Sequence, residues 1–210
     1  MVTNDEFVSY LTSLFPDAFC ELKFNSNFEL LVAVILSAQC TDKRVNIVTK
    51  ELFKELNTPQ EFAKIKQEDL EQKIRSCGFY HNKAKNIINC AKELVEKYEG
   101  EVPNDFNTLT TLAGVGRKTA NVVCSVAFGQ NRVAVDTHVL RVSGRLGFTK
   151  SKNPDICEKD LTKRFKKDLD KLHYRMVLFG RYYCKAIKPE CENCKLKDKC
   201  KQYSKFVNAK

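Results

Sequence analysis

The feature that most restricts how this chain can fold is the spacing of its apolar residues. They recur at intervals of three and four over nearly the whole length, and sustained strand-type alternation is absent. The pattern predicts an all-α protein. Thr3 followed by Glu6 is a capping-box signature, opening a first helix that carries Phe7, Tyr10, Leu11 and Leu14. Further helices are expected near 27–40, 42–56, 59–65, 67–76, 81–98, 107–112, 117–128, 137–146, 155–167 and 170–183. Thr58 then Pro59 suits an N-cap followed by proline at the first helical position, and Gly100 and Gly129 stand where helices should stop. There is no long linker or internal repeat, but beyond about residue 130 lysine and arginine become denser.

At 210 residues and 43% hydrophobic content the chain can bury a sizeable core, as one large domain or two small ones. Its formal charge of +10 attracts polyanions or anionic surfaces, which makes nucleic acid the leading partner class. The longest apolar run, LLVAVILSA at 30–38, is well short of the ~20 residues a membrane span needs and reads as a buried helix. The opening MVTNDEFVSYLTSLF lacks the order of a secretory signal and is too acidic for a mitochondrial presequence, so a cytoplasmic protein is expected, nucleoid-associated if prokaryotic. Of ten cysteines, Cys20, Cys40, Cys77, Cys90, Cys124 and Cys157 are scattered along expected helices, which suggests reduced thiols used as small hydrophobes.

Two local patterns carry chemistry. From Phe106 to Phe128 a short helix, the tight turn AGVG and a second helix follow one another, with Ala120, Val123, Cys124 and Ala127 forming a buried stripe. Lys118 falls on the opposite side, with Asn121, Val122 and Ser125. Gly114 and Gly116 open backbone angles closed to other residues. The amides from Gly114 through Val115 and Gly116, with those of the helix N-terminus, would cradle a phosphate without reading sequence. An ordinary helix-turn-helix packing corner is the alternative. The second pattern is CKAIKPECENCKLKDKC, which sets Cys184, Cys191, Cys194 and Cys200 with gaps of six, two and five residues. Four thiolates so close together signal a metal site. Zinc suits four thiolates, and so does a cubane in which each iron takes one; spacing alone leaves both open. Lys185, Lys188, Lys195, Lys197, Lys199 and Lys201 are interleaved with the cysteines, either as phosphate contacts, Lys188 and Lys195 foremost, or as a solvated basic tail.

LAGVGRKTANVV at 112–123, VAVDTHVLR at 133–141 and the terminal cysteine loop together resemble the endonuclease III family of base-excision-repair DNA glycosylases, within the helix-hairpin-helix superfamily. The resemblance covers nearly the whole chain. It implies two helical lobes with a cleft between them. One is a six-helix domain over 22–132 carrying the hairpin (106–128); the other is an iron–sulfur cluster domain made of 1–21 and 133–210. It also implies a bifunctional DNA glycosylase and AP lyase, acting as a monomer, without a membrane. The substrates would be oxidised or ring-saturated pyrimidines, or abasic sites, in double-stranded DNA. The resemblance makes Lys118 the nucleophile and Asp136 the second catalytic residue, facing each other across the junction. It makes Cys184, Cys191, Cys194 and Cys200 the ligands of a 4Fe-4S cluster.

The implied chemistry is coherent. A neutral amine attacks the anomeric carbon, expels the base and forms a Schiff base with the opened sugar, after which β-elimination cuts the strand 3′ to the lesion. Partial burial at a helix N-terminus beside Arg117 is expected to favour the neutral amine. Asp136 would stabilise the cation developing on the sugar and help move protons, and it is also placed to cap the helix of THVLRVSGRL. His138 is expected to be structural. A nucleotide must leave the helix for this reaction, and the gap must be filled. LSAQCTD at 36–42 resembles the family segment whose glutamine enters that gap, which points to Gln39; CGFYHNKAKNI at 77–87 resembles the segment with an apolar wedge, matched by Phe79 where relatives often have leucine. A polar helix end and a core aromatic are the plain alternatives. Asp42 would line the pocket or cap the next helix. Ala113 stands where relatives commonly have proline, which softens the hairpin but leaves its glycines. Two rival functions remain at this level: a monofunctional adenine or mismatch-thymine glycosylase, and a non-catalytic DNA-binding module with a structural metal.

Overall fold

The computed structural model describes residues 1–204; the last six positions expected in the cluster domain, 205–210, lie outside the described residues. Among the described residues every regular element is helical. Among the described residues the chain divides into two compact units, residues 21–129 and residues 1–20 together with 130–204.

The first unit is built on α2 (Asn27–Ser37), whose residues from Phe28 to Leu36 are all buried. A helix apolar on every side belongs at a centre, and α2 packs against α3 (Asp42–Glu55), α6 (Tyr80–Lys97) and α8 (Arg117–Phe128). Around it lie α4 (Pro59–Lys64), α5 (Gln67–Ile74) with a 3-10 turn at Arg75–Cys77, and α7 (Phe106–Thr111). Polar side chains set several starts: Ser26 caps α2, Thr41 caps α3, Asp105 caps α7, and Thr58 with Glu61 forms a capping box ahead of Pro59. Each such cap is worth about 1 kcal/mol. Asp42 is therefore not the cap of α3; it sits in the first turn behind Thr41.

The second unit contains α1 (Asn4–Leu14), α9 (Thr137–Leu146), α10 (Pro154–Phe165), α11 (Leu169–Tyr182) and the cysteine loop. The Thr3–Glu6 capping box is present. Phe7 meets Phe148 edge-on at 4.8 Å, Phe148 meets Phe165 at 5.4 Å, and the Arg164 guanidinium lies 4.5 Å from the Phe148 centroid. This core continues into the loop, since Leu196 is buried in it and Cys184, Cys194 and Cys200 pack against it.

Several helix ends differ from the periodicity by one to three residues, α5 among them, which gives way at Ile74 to the 3-10 turn; two others lie next to positive-φ residues. The helix expected to reach residue 40 stops at Ser37, where Ala38 turns to a non-helical ψ of 113° and Gln39 follows with a left-handed backbone (φ 54°). The one expected over 155–167 ends at Phe165, with Lys166 (φ 60°) and Asp168 (φ 50°) in the positive-φ region. Apolar spacing cannot report a backbone reversal at a polar residue. No helix among the described residues is long and apolar enough to cross a membrane.

Candidate nucleic-acid and catalytic site

The hairpin between α7 and α8 is anchored by Leu112 and Val115, both buried. Gly114 is needed twice over: its φ is +75°, and a Cβ there would fall 2.7 Å from the Cβ of Asn86 on α6. Gly116 differs from the expectation. Its φ of −84° is open to any residue and nothing lies within 4 Å of a Cβ built there. What glycine does at 116 is leave the start of α8 bare: it is the N-cap, and no side chain accepts from the first turn. A helix start without a side-chain cap is the kind of place where backbone amides can meet an anion. Val115 also departs from the phosphate-cradle expectation, because its N–H donates to the Leu112 carbonyl at 3.1 Å and its side chain is buried. It is an anchor of the turn.

Lys118 stands exposed in the first turn of α8, so the partial burial expected of it is not found. Arg117 beside it lies over the Phe106 ring, 4.8 Å from the centroid, which ties the start of α8 to the start of α7. The open face is short. Asn121 and Val122, expected to share the side of Lys118 away from the core, are buried along with Ala120, Val123 and Cys124.

In the same unit Gln39 is exposed at its positive φ, and Phe79 is 63% exposed with φ 48°, immediately before α6. Phe79 is thus not a core aromatic, and Gln39 lies in a turn rather than a helix end. Both side chains are presented by reversals of the backbone. Lys83, one turn into α6, is buried; its Nζ donates to the carbonyls of Leu36 (2.8 Å) and Cys77 (2.9 Å), joining the last turn of α2 to the 3-10 turn that precedes α6. Burial lowers its pKa below the usual lysine range.

In the other unit Asp136 is half-buried and caps α9, its Oδ1 accepting from the Val139 amide at 2.8 Å. His138 Nδ1 faces an Arg141 guanidinium nitrogen at 3.1 Å. Arginine only donates, so Nδ1 is the acceptor and the neutral ring carries its proton on Nε2. Arg141 also donates to the carbonyls of Cys184 (3.1 Å) and Gly180 (2.7 Å). One turn on, Arg145 reaches the Cys184 carbonyl (3.2 Å) and Sγ (3.3 Å), the Lys185 carbonyl (2.7 Å) and the Ala186 carbonyl (3.1 Å). These two arginines were missed in the sequence; their i, i+4 spacing on α9 was the available signal.

Cys184, Cys191, Cys194 and Cys200 all line one small cavity, of about 30 Å³, with Arg145 and Phe179 also in its wall. Among the described residues no three His, Cys, Asp or Glu side chains converge closely enough to hold a single ion. The four thiols surround a space instead. Not all of the interleaved lysines are spare: Lys185 pairs with Glu190 at 2.5 Å, Lys199 with Glu6, and Lys197 donates to the Glu192 carbonyl at 3.2 Å. Lys188 and Lys195 are exposed, the latter with its Nζ 5.9 Å from the Tyr10 ring centroid.

Residues 32–167 match the model of the HhH-GPD superfamily base excision DNA repair protein. Endonuclease III of Bacillus subtilis (strain 168) is 50% identical over 194 residues, 91% of this chain and 89% of that protein. Endonuclease III of Rickettsia conorii (strain ATCC VR-613 / Malish 7) is 47% identical over 189 residues, 90% of each. A solved structure of a trapped endonuclease III–DNA covalent intermediate, an estranged-adenine complex, superposes with a TM-score of 0.93 at 49% identity, covering 99% of this chain and 100% of that one. The chain belongs to the endonuclease III family of the HhH-GPD superfamily.

Proposed function

We propose that this protein is a bifunctional DNA glycosylase and AP lyase of base-excision repair, removing oxidised or ring-saturated pyrimidines from duplex DNA. The observation that carries the reading is the near-complete likeness, at 49% identity, to an endonuclease III caught in a covalent intermediate with DNA. A covalent intermediate needs a nucleophile on the protein, and Lys118 is an exposed amine at the bare N-terminus of α8. Its Nζ attacks the anomeric carbon and the base leaves; the resulting iminium on the opened sugar acidifies the neighbouring C–H, and β-elimination breaks the 3′ C–O bond. Asp136 stabilises the cation developing on the sugar. Its capping bond holds one carboxylate oxygen to the Val139 amide and so fixes the direction of the other.

The bare first turn of α8 and Gly114 hold a DNA phosphate, with the dipole of a twelve-residue helix behind them. Gln39 and Phe79, raised on left-handed turns, fill the space left by the rotated nucleotide. Lys188 and Lys195 add backbone contacts whose strength falls with salt. Cys184, Cys191, Cys194 and Cys200 hold a 4Fe-4S cluster, a fit supported by four thiols lining one cavity rather than meeting at a point. When bound, the cluster cross-links four positions of the loop. Acting as a monomer, the protein would work in the compartment that holds the genome.

Strand incision tests the reading. A duplex carrying thymine glycol should be cut 3′ to the lesion, leaving an unsaturated sugar fragment on the 3′ end. Release of the base with the strand left whole would instead mean that water is the nucleophile.

A further inference from the structure

Gln39 and Phe79 stand on turns from two distant parts of the sequence, and one side chain reaches the backbone of both. The last carbonyls of a helix have no partner within it. At the end of α2 the Ala38 amide bonds the Ile35 carbonyl and the Cys40 amide bonds that of Ser37. The Leu36 carbonyl between them takes Lys83 Nζ at 2.8 Å, and the Cys77 carbonyl, the last of the 3-10 turn, takes it at 2.9 Å. Gln39 follows Leu36 by three residues, and Phe79 follows Cys77 by two. The backbone of Lys83 joins in: its N–H donates to the Phe79 carbonyl at 3.1 Å, closing the first turn of α6. One residue thus holds the chain on both sides of the Phe79 side chain. Three residues on, along the same face of α6, Asn86 lies against Gly114 of the hairpin.

A buried ammonium is an unfavourable way to fill space. Lys83 is 5% exposed, its acceptors are carbonyls rather than a carboxylate, and it lies near the N-terminal end of α6, where the helix dipole disfavours positive charge. The C-terminal end of α2 offsets part of this, since its last carbonyls favour a cation. What the ammonium supplies, and an apolar side chain of the same size would not, is a fixed direction for both turns.

We propose that Lys83 is a positioning residue for the gap-filling side chains: its ammonium locks the turns of Gln39 and Phe79 to helix α6, so that both enter a duplex as one preformed unit. Turns that are ordered beforehand need not be ordered on binding, so less of the contact energy with DNA is lost to entropy. This use of the lock rests on the roles proposed above for Gln39 and Phe79. The lock itself does not.

Full-length protein purified without oxygen, as wild type and as Lys83→Met, tests both parts; the thioether chain fills a similar volume without a donor. Hydrogen exchange in the absence of DNA reads the lock. The hydrogen-bonded amides of Ala38, Cys40 and Gly78 should exchange faster in Lys83→Met, with α8 unchanged. Unchanged exchange in either turn would overturn the lock. Fluorescence anisotropy with an intact duplex and with one containing a tetrahydrofuran abasic analogue then reads its use. Lys83→Met should lower the preference for the tetrahydrofuran duplex by about tenfold while intact duplex binds within about twofold of wild type, whereas a general loss of structure would weaken both alike. In a Gln39→Ala, Phe79→Ala background the same substitution should change the preference by less than about twofold, because nothing is left to position. Faster exchange with an unchanged preference, or an undiminished loss in that background, would refute the positioning role. A wild-type protein with no preference for the tetrahydrofuran duplex would instead refute the roles of Gln39 and Phe79, and exchange would still decide the lock. If Lys83→Met does not fold, Lys83→Gln, whose amide nitrogen stands one bond nearer the backbone, takes its place with the same expectations.

Discussion

Replacing Gly114 by alanine strains the hairpin in two separable ways. The first is conformational: φ of +75° costs an L-residue about 1 kcal/mol or more relative to glycine. The second is steric. The new Cβ would lie 2.7 Å from the Asn86 Cβ, and a Cβ cannot rotate away, so α6 or the turn must shift at a cost of about 1–3 kcal/mol. The sum is about 3 kcal/mol, which for a chain of this length lowers the melting temperature by about 6–12 °C. Circular dichroism melts of Gly114→Ala, Asn86→Gly and the double variant separate the parts. Asn86→Gly alone costs about 0.5 kcal/mol in the helix, and in its background Gly114→Ala should lose the steric part while keeping the conformational one. Gly116→Ala, with φ of −84° and open space, should cost less than about 1 kcal/mol. Equal destabilisation by the two glycine substitutions, or no coupling between positions 86 and 114, would refute the reasoning.

Asp136→Asn keeps a good N-cap for α9, so stability should change by less than about 0.5 kcal/mol while base excision falls by about 10²-fold or more, as measured in single-turnover assays. Asp136→Ala should lose the cap as well, at about 1 kcal/mol in urea denaturation. Glu6 is held at about 2 by Lys199 and by the Thr3 amide and hydroxyl, below the ordinary 4.5. Its contribution to stability is therefore fully present above pH 4.5 and is lost as pH falls through about 2; in Lys199→Ala its carboxyl resonance should titrate closer to 4.5. Arg145→Ala removes the donors to Cys184, Lys185 and Ala186, and Lys in its place cannot reproduce the fork. Both variants should show faster amide hydrogen exchange across 185–199, with helix α9 itself unchanged. Protein purified without oxygen should carry iron and acid-labile sulfide in equal amounts, whereas stoichiometric zinc would defeat the cluster assignment.

The helices were legible because their signals are local. Thr3 with Glu6 and Thr58 with Pro59 act within one turn, and both caps form as the residues suggest. What the sequence hid depends on partners far along the chain. Lys83 looks like one more surface lysine until the carbonyl of Leu36, 47 residues earlier, is brought to it. Lys199 looks like a phosphate contact, yet its carboxylate partner, Glu6, is 193 residues away. Gly114 and Gly116 read alike in AGVG, but the backbone needs the first for its angle and its closeness to Asn86, and the second only for its bareness. Gln39 sits in a left-handed turn that apolar spacing is blind to.

The central claim, that a lysine of this chain bonds covalently to the sugar, is tested most directly by reductive trapping. Borohydride added during reaction with a thymine glycol or abasic duplex should give a stable protein–DNA adduct, peptide sequencing should place it on Lys118, and Lys118→Ala should give none. No adduct from the wild-type protein, or an adduct on another residue, would contradict the account.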